Sequence, residues 1–341
     1  MRIEDARAAA SDWLAANAGT IDGFAGAYLS GSAAYLDAGA SLGTGSDVDV
    51  MVVVDGDLPE HKLGKFTHDG VLLEVTWLPS ADFADAATVL ASYHLAHAFS
   101  RDGILADPSG RLTRLRDLVA ARFASPESVR ARRDSAATAV ARGIGAVDVG
   151  APLADRLMPW MFPTGVTCHV LLVAALRNPT VRLRYLAARE TLAAHGMRDR
   201  YEELLAQLGA DSLTAARVAE HVDALAVTFD AAASVSRTPF PFSSDISAAA
   251  RPIAIDASRE LVARGDHREA VFWIAATFAR CHQILAADAP EHHLRRLPAF
   301  EALAEDLGVP DGPALAARIA RTQAYLPEVA EMSEKIIRDV T

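Results

Sequence analysis

Three acidic residues stand where a chain would gather a hard cation. Asp47 and Asp49 lie two apart at the head of a valine-rich run, and Glu74 interrupts a second apolar run, Val71-Leu72-Leu73-Glu74-Val75-Thr76-Trp77. In an extended strand, residues i and i+2 project from the same face, so the two aspartates converge. Carboxylates that close repel unless they are protonated, ion-paired or joined by a cation. No Lys or Arg adjoins them in sequence. A divalent cation with oxygen ligands is a reasonable partner, and magnesium takes one or two carboxylates together with substrate phosphates. A glutamate within a buried strand costs several kcal/mol, of order 3 or more, unless its charge is compensated. If the two strands are neighbours, Glu74 reaches the same ions. Three acids then make a two-metal centre possible, of the kind that stabilises attacking and leaving oxygens in phosphoryl transfer.

Two further features suit phosphate. Gly31-Ser32 follows a strand-like run and precedes a short helical one, so backbone N–H groups and the Ser32 hydroxyl can approach phosphate oxygens unobstructed. Residues 40–46 form a Gly/Ser/Thr-rich loop that ends in Ser46, next to the aspartates. Taken singly, an Asp-x-Asp or a Gly-Ser is ordinary strand-edge and turn chemistry, and a strand glutamate is as compatible with an exposed edge as with a site. The ordered set carries the argument: strand, Gly-Ser, helix, loop, Ser-Asp-x-Asp strand, then an acid on the next strand.

The elements that must position these residues are readable from periodicity. Residues 3–16 place Ile3, Ala6, Ala10, Trp13 and Leu14 at helical spacing. Strands are expected over 25–29, 48–54 and 71–78, the last introduced by Asp69-Gly70 and closed by Pro79. Residues 33–38 and 82–97 read as helical, and Asp107-Pro108-Ser109-Gly110 as a turn before a domain boundary. From residue 111 onward nothing reads as strand. Helices are expected near 128–149, 153–176, 181–195, 198–208, 214–234, 247–263, 266–287, 298–307 and 313–338, with Thr238-Pro239-Phe240-Pro241-Phe242 as a break. A length of 341 residues suits two domains. The expected class is α+β: a small mixed β-sheet domain over 1–112, followed by an all-α helical bundle over 113–341.

Gly31-Ser32, Ser46-Asp47-Val48-Asp49 with the valine-rich 50–54, and Leu73-Glu74-Val75 together resemble the signature of the DNA polymerase β-type nucleotidyltransferase superfamily. Within it the chain is similar to the bacterial small-molecule branch, the aminoglycoside and lincosamide nucleotidyltransferases. The phrase Asp102-Gly103-Ile104-Leu105-Ala106-Asp107-Pro108-Ser109-Gly110 is also similar to that branch. The resemblance extends over the sheet region as far as Gly110; the helical remainder is similar only in architecture. One departure is a stretch between Gly31-Ser32 and Asp47 a few residues longer than in many members.

The resemblance implies that the first domain is a nucleotidyltransferase domain in which Asp47 and Asp49 bind magnesium. It further implies that Gly31 and Ser32, with Ser46, hold a nucleoside triphosphate such as ATP, and that Glu74 is the third catalytic acid. In some relatives the equivalent acid ligates metal and in others it activates the acceptor hydroxyl. The implied cofactor is Mg2+, two ions, with the nucleoside triphosphate as co-substrate and a small-molecule hydroxyl, of an aminoglycoside or lincosamide antibiotic, as acceptor. Two alternatives stay open: a protein-adenylylating enzyme of a toxin–antitoxin kind, and a regulatory module that binds nucleotide without transfer.

Composition narrows the partners. Formal net charge is −11 and pI is near 5.5, which argues against coating a nucleic-acid backbone. Hydrophobic residues make up 51% and aromatics only 6%, favouring Ala-rich helical packing over an aromatic-rich β core. Cys168 and Cys281 sit in apolar helical stretches as reduced thiols, in keeping with a cytoplasmic protein. No signal-peptide pattern or membrane role is indicated, and a homodimer is left open. His61-Lys62-Leu63-Gly64-Lys65 reads as a solvated turn, since Lys is mostly exposed, with a cation near phosphates as the alternative. Arg177, Arg182, Arg184 and Arg189 offer guanidinium forks for a triphosphate or surface pairs for Glu190 and its neighbours. His292-His293 reads as loop surface, Trp160, Phe162 and Trp273 as bundle packing, and Glu269 as a base or a helix-start residue.

Overall fold

The structure, a computed structural model, describes residues 1–43, 45–60 and 62–341. Thr44 of the glycine-rich loop and His61 lie outside the described residues. A small five-stranded mixed sheet near the N-terminus is followed by helices. The chain divides into two compact units, residues 1–131 with 241–252, and residues 132–240 with 253–341. The first unit thus runs past the boundary expected after residue 112 and includes a short segment from far along the chain.

The first unit begins with α1 (Ile3–Asn17), followed by β1 (Phe24–Ser30), α2 (Gly31–Tyr35), β2 (Val48–Val54), β3 (Gly64–His68), β4 (Val71–Pro79), α3 (Ala86–Ala91), β5 (Ile104–Ala106) and α4 (Arg111–Arg122). Strand order is β3-β4-β2-β1-β5. β2 and β4 pair in parallel, and every other pairing is antiparallel. Both faces of β2 are covered, as its nearly unbroken valine run requires. Val48, Val50, Val52 and Val54 join Val71, Leu73 and Val75 of β4 in one core with Ala6, Ala10, Trp13 and Leu14 of α1. Val53 faces the opposite way, into a core with Tyr28, Phe83, Phe99, Leu112 and Leu115. Burying each such valine contributes on the order of 1.5–3 kcal/mol, so the register of β2 is strongly held.

Three sequence expectations for this unit need correction. Residues 64–68, expected only as a connection between strands, form the edge strand β3; its alternation is masked by Lys65, Thr67 and His68, as is usual where an edge is kept polar. β5 is a second edge strand of three residues, too short to carry a pattern. The helix expected over 82–97 shrinks to a 3-10 turn, Ser80–Phe83, and α3, whose N-cap Asp85 accepts from the Thr88 N–H at 2.8 Å.

The remaining helices are α5 (Pro126–Gly145), α6 (Leu153–Ala174), α7 (Arg184–Ala194), α8 (Tyr201–Leu208), α9 (Ala215–Val235), α10 (Ala257–Ala263), α11 (His267–Asp288), α12 (Pro290–Asp306) and α13 (Gly312–Val340). No strand occurs among the described residues of the second unit. The helix expected over 247–263 is regular only from Ala257, after a wide turn at Pro252–Asp256; Pro252 offers no N–H to continue a preceding helix. α6 and α11 are long and apolar enough to cross a membrane by length and composition, yet 78% of each such window is buried inside the protein.

Candidate functional site

One row of residues crosses four strands. Ser30 on β1 is in register with Asp49 on β2, Asp49 with Glu74 on β4, and Glu74 with Lys65 on β3. Laterally paired residues project from the same face of a sheet, so Glu74 and Lys65 emerge beside Asp49. Asp47, two residues before Asp49, joins them. The carboxylates of Asp47, Asp49 and Glu74 each place an oxygen within 4.8 Å of the others. All three residues are half-buried: solvent reaches them, while strand backbone and apolar neighbours lie behind.

Gly31 fixes the near wall. It follows Ser30 at the end of β1 and adopts φ +57, a left-handed conformation that side-chain-bearing residues avoid. A Cβ at this position would lie 2.2 Å from Asp49 Oδ2. The absent side chain is what lets the Asp49 carboxylate lie against the backbone. Ser32 is the second residue of α2, whose Ala33 and Ala34 are buried in the core shared with α1. Arg7 of α1 donates to the Ala33 carbonyl at 2.7 Å and the Leu36 carbonyl at 2.8 Å, holding this short helix in place. The N–H groups of Ile3 and Glu4 donate to the carbonyls of Ala40 and Ala38, tying the start of the following loop to α1. Ser46 closes that loop, its N–H donating to the Gly43 carbonyl at 3.1 Å, and leads directly into Asp47.

No Lys or Arg adjoins the aspartates in sequence, but the fold brings two lysines to the acids. The segment read as a solvated turn is in part an ion-pairing element. The Lys65 side chain is only 6% exposed, and its Nζ lies 2.5 Å from Glu74 Oε2, 2.6 Å from Asp245 Oδ1 and 3.1 Å from Asp47 Oδ2. Lys62 pairs with Glu74 Oε1. Asp245 comes from the returning segment 241–252. Its approach depends on Gly64, at φ +68, where a Cβ would stand 2.2 Å from Ser244 Oγ. The sequence offers Lys65 only as the alternative to a solvated turn, a cation near phosphates rather than a partner of the acids, and does not single out Asp245. The alternation of Lys65 and Glu74 with apolar neighbours on adjoining segments is the one signal that could have found the lysine; for Asp245 there is none.

These contacts set distinct charge states. Burial pushes Glu74 upward, but Lys65 and Lys62 outweigh it and hold the carboxyl at about 2. Asp47 is raised by burial and by Glu74, with Lys65 opposing. Burial drives Asp49 well above the usual carboxylate range, and its neighbours Asp47 and Glu74 add to the effect. Lys65 is raised against its burial by Asp47, Asp245 and Glu74. Asp49 therefore stands apart: among the described residues its carboxylate has no ion pair or hydrogen bond, and it faces two like charges.

Lys65 and Lys62 oppose the upward shift of Asp49 without touching it, and its carboxyl group, with no direct partner and two acids beside it, is where a metal would fit. Hard oxygen donors from Asp47 and Asp49 suit magnesium, which needs only one or two carboxylates alongside water and phosphate oxygens. Glu74 fits less directly, since both of its oxygens already accept from ammonium groups.

The other candidates resolve into packing within the second unit. Arg177 pairs with Glu190 at 2.9 Å, and Arg189 with Asp266 at 2.6 Å and Glu269 at 2.8 Å. Arg184 is buried, donating to the Val181 carbonyl and lying 4.0 Å from the Phe272 ring centroid. Glu269 is buried and also accepts from the Tyr201 hydroxyl at 2.8 Å. Trp160 is fully buried and Phe162 packs edge-on against Phe272. His293 is no bare loop residue: its Nδ1 lies 3.0 Å from Nδ1 of the buried His282. Comparison with protein-family models, curated proteins and solved structures finds no match for this chain.

Proposed function

We propose that the protein is a magnesium-dependent nucleotidyltransferase that moves a nucleoside monophosphate from a nucleoside triphosphate to an acceptor hydroxyl. The observation that carries this reading is the meeting of Asp47, Asp49 and Glu74 beside a glycine whose missing Cβ makes room for Asp49. The motif order from Gly31-Ser32 through Ser46-Asp47-x-Asp49 to Glu74 supports it, through the resemblance to the polymerase β-type superfamily.

Asp47 and Asp49 would hold the ion, which when bound supplies Lewis-acid polarisation of phosphate oxygens and neutralises developing charge. Gly31 lets the Asp49 carboxylate lie against the end of β1, and Ser32 and Ser46 would bring hydroxyl donors to a phosphate held there. The acceptor oxygen would form a bond to the α-phosphorus while the bond to the bridging oxygen breaks. Pyrophosphate leaves, and the hydroxyl proton passes to a base. Lys65 and Lys62 hold Glu74 ionised and fixed in direction. The acceptor class this reading carries is a hydroxylated small molecule of the aminoglycoside or lincosamide kind, and the free, buried Cys168 and Cys281 suit a reducing, cytoplasmic setting.

Replacing Asp49 by Ala should lower pyrophosphate release by more than roughly a hundredfold across a panel of four nucleotides and hydroxylated antibiotics. Near wild-type release from that variant would defeat the assignment. The double ion pair on Glu74 favours one second reading, a module that binds nucleotide without transferring it, because an acid so engaged is not a free base. Magnesium-dependent nucleotide binding with no pyrophosphate release from any acceptor would select it. A mass increment on a co-expressed protein would instead move the acceptor from drug to protein.

A further inference from the structure

We infer that Lys65 is a resident cation of the acid cluster and limits it to one divalent ion, where the superfamily resemblance implies two. This rests on the metal-dependent reading above and concerns how many ions that site holds.

The argument is a count of oxygens. Asp47, Asp49 and Glu74 offer two each. Lys62 takes Glu74 Oε1, and Lys65 takes Glu74 Oε2 and Asp47 Oδ2. What remains is Asp47 Oδ1 and the pair on Asp49, a ligand set sufficient for one magnesium, with water and phosphate completing its shell. A second ion would have to draw on Glu74, and so would share oxygens with two ammonium groups and meet Nζ of Lys65 as a like charge.

Lys65 is not a surface side chain free to swing aside. It leaves β3 in register with Glu74, so its backbone is fixed by the sheet. Its ammonium group is held by carboxylates from three separate places: the start of β2, the middle of β4 and the returning segment at Asp245. Gly64 and Ser244 pack closely enough to exclude a Cβ between them, which secures the third of these attachments. An ammonium group with three carboxylate partners, 6% exposed, already draws on the oxygens that a second cation would need.

The experiment is a Mn2+ titration of the full chain without nucleotide, followed by the electron paramagnetic resonance signal of free Mn2+ and by calorimetry. Wild type should bind one Mn2+ per chain. Lys65→Met should bind two, and Lys65→Arg, which keeps the charge, should remain at one. Should Lys65→Met not fold, Lys65→Gln, which removes the charge but keeps a polar tip for Asp245, takes its place and should likewise bind two. Two equivalents in the wild type, or one in a folded Lys65→Met or Lys65→Gln, would overturn the role of Lys65 while leaving the metal-dependent reading standing. No saturable binding in any of the proteins would overturn both.

Discussion

Replacing Gly31 by Ala separates the needs of the fold from those of the site. The backbone there sits at φ +57, where a residue with a Cβ pays about 1–2 kcal/mol. The added carbon would meet Asp49 Oδ2 at 2.2 Å. Ordinary contact is at least about 3 Å, so the carboxylate must retreat by ~1 Å, easily done by the tip of a side chain. Folding should therefore lose only the backbone strain, read as a small drop in denaturant midpoint. The site should lose function out of proportion to this, because its geometry is what shifts. A displacement of about 1 Å at a reacting geometry costs on the order of a hundredfold, and a ligand carboxylate moved that far should weaken Mn2+ affinity by at least tenfold, about 1.4 kcal/mol. Free-Mn2+ resonance signals and pyrophosphate release, measured beside a urea melt, give the three readings. A variant with the expected stability loss but unaltered Mn2+ affinity would refute the claim that Gly31 exists to seat Asp49.

Two other expectations concern the second unit. Burial, with His293 and Arg296 nearby, lowers His282 from 6.5 to about 3; the unfolded chain binds a proton below pH 6.5 that the folded one declines, so stability falls as pH drops through that window. The loss should reach about 2 kcal/mol between pH 7 and pH 5, and denaturant midpoints for His282→Phe should lack this part of the slope. Tyr201→Phe removes one donor from buried Glu269 and leaves Arg189 as its partner, which should destabilise the protein by about 1.5–2 kcal/mol in a urea melt; a loss below about 0.5 kcal/mol would show that the phenol contributes little.

Much of the scaffold could be read because it obeys local rules. β2 falls on the expected 48–54, since a run of β-branched residues bounded by polar turns has few other uses. α9 begins where Thr214 accepts from the Arg217 N–H, and α13 where Asp311 accepts from the Ala314 N–H, both ordinary cap residues. The pairing of β2 with β4 was a condition in the sequence, and the register setting Asp49 opposite Glu74 meets it. What could not be read depends on distance along the chain. Lys65 lies on an edge strand whose polar alternation resembles a turn, and its partner Asp245 is 180 positions away. Periodicity describes which way a residue faces, and contains nothing about which remote segment arrives to face it.

That separation has a consequence for how the molecule comes into being. Chain closure over long distances carries an entropic penalty and tends to come late. The strands can pair as soon as the first unit's own elements exist, but during synthesis the sheet must wait through more than a hundred further residues before Asp245 is made. Until then the lysine has two anionic neighbours instead of three, and the flank of β3 beside Gly64 lies bare. The acids and Lys65 are thus assembled early, and the carboxylate that completes the anchoring of the lysine is delivered last, so ion-binding competence should mature after the sheet itself has formed.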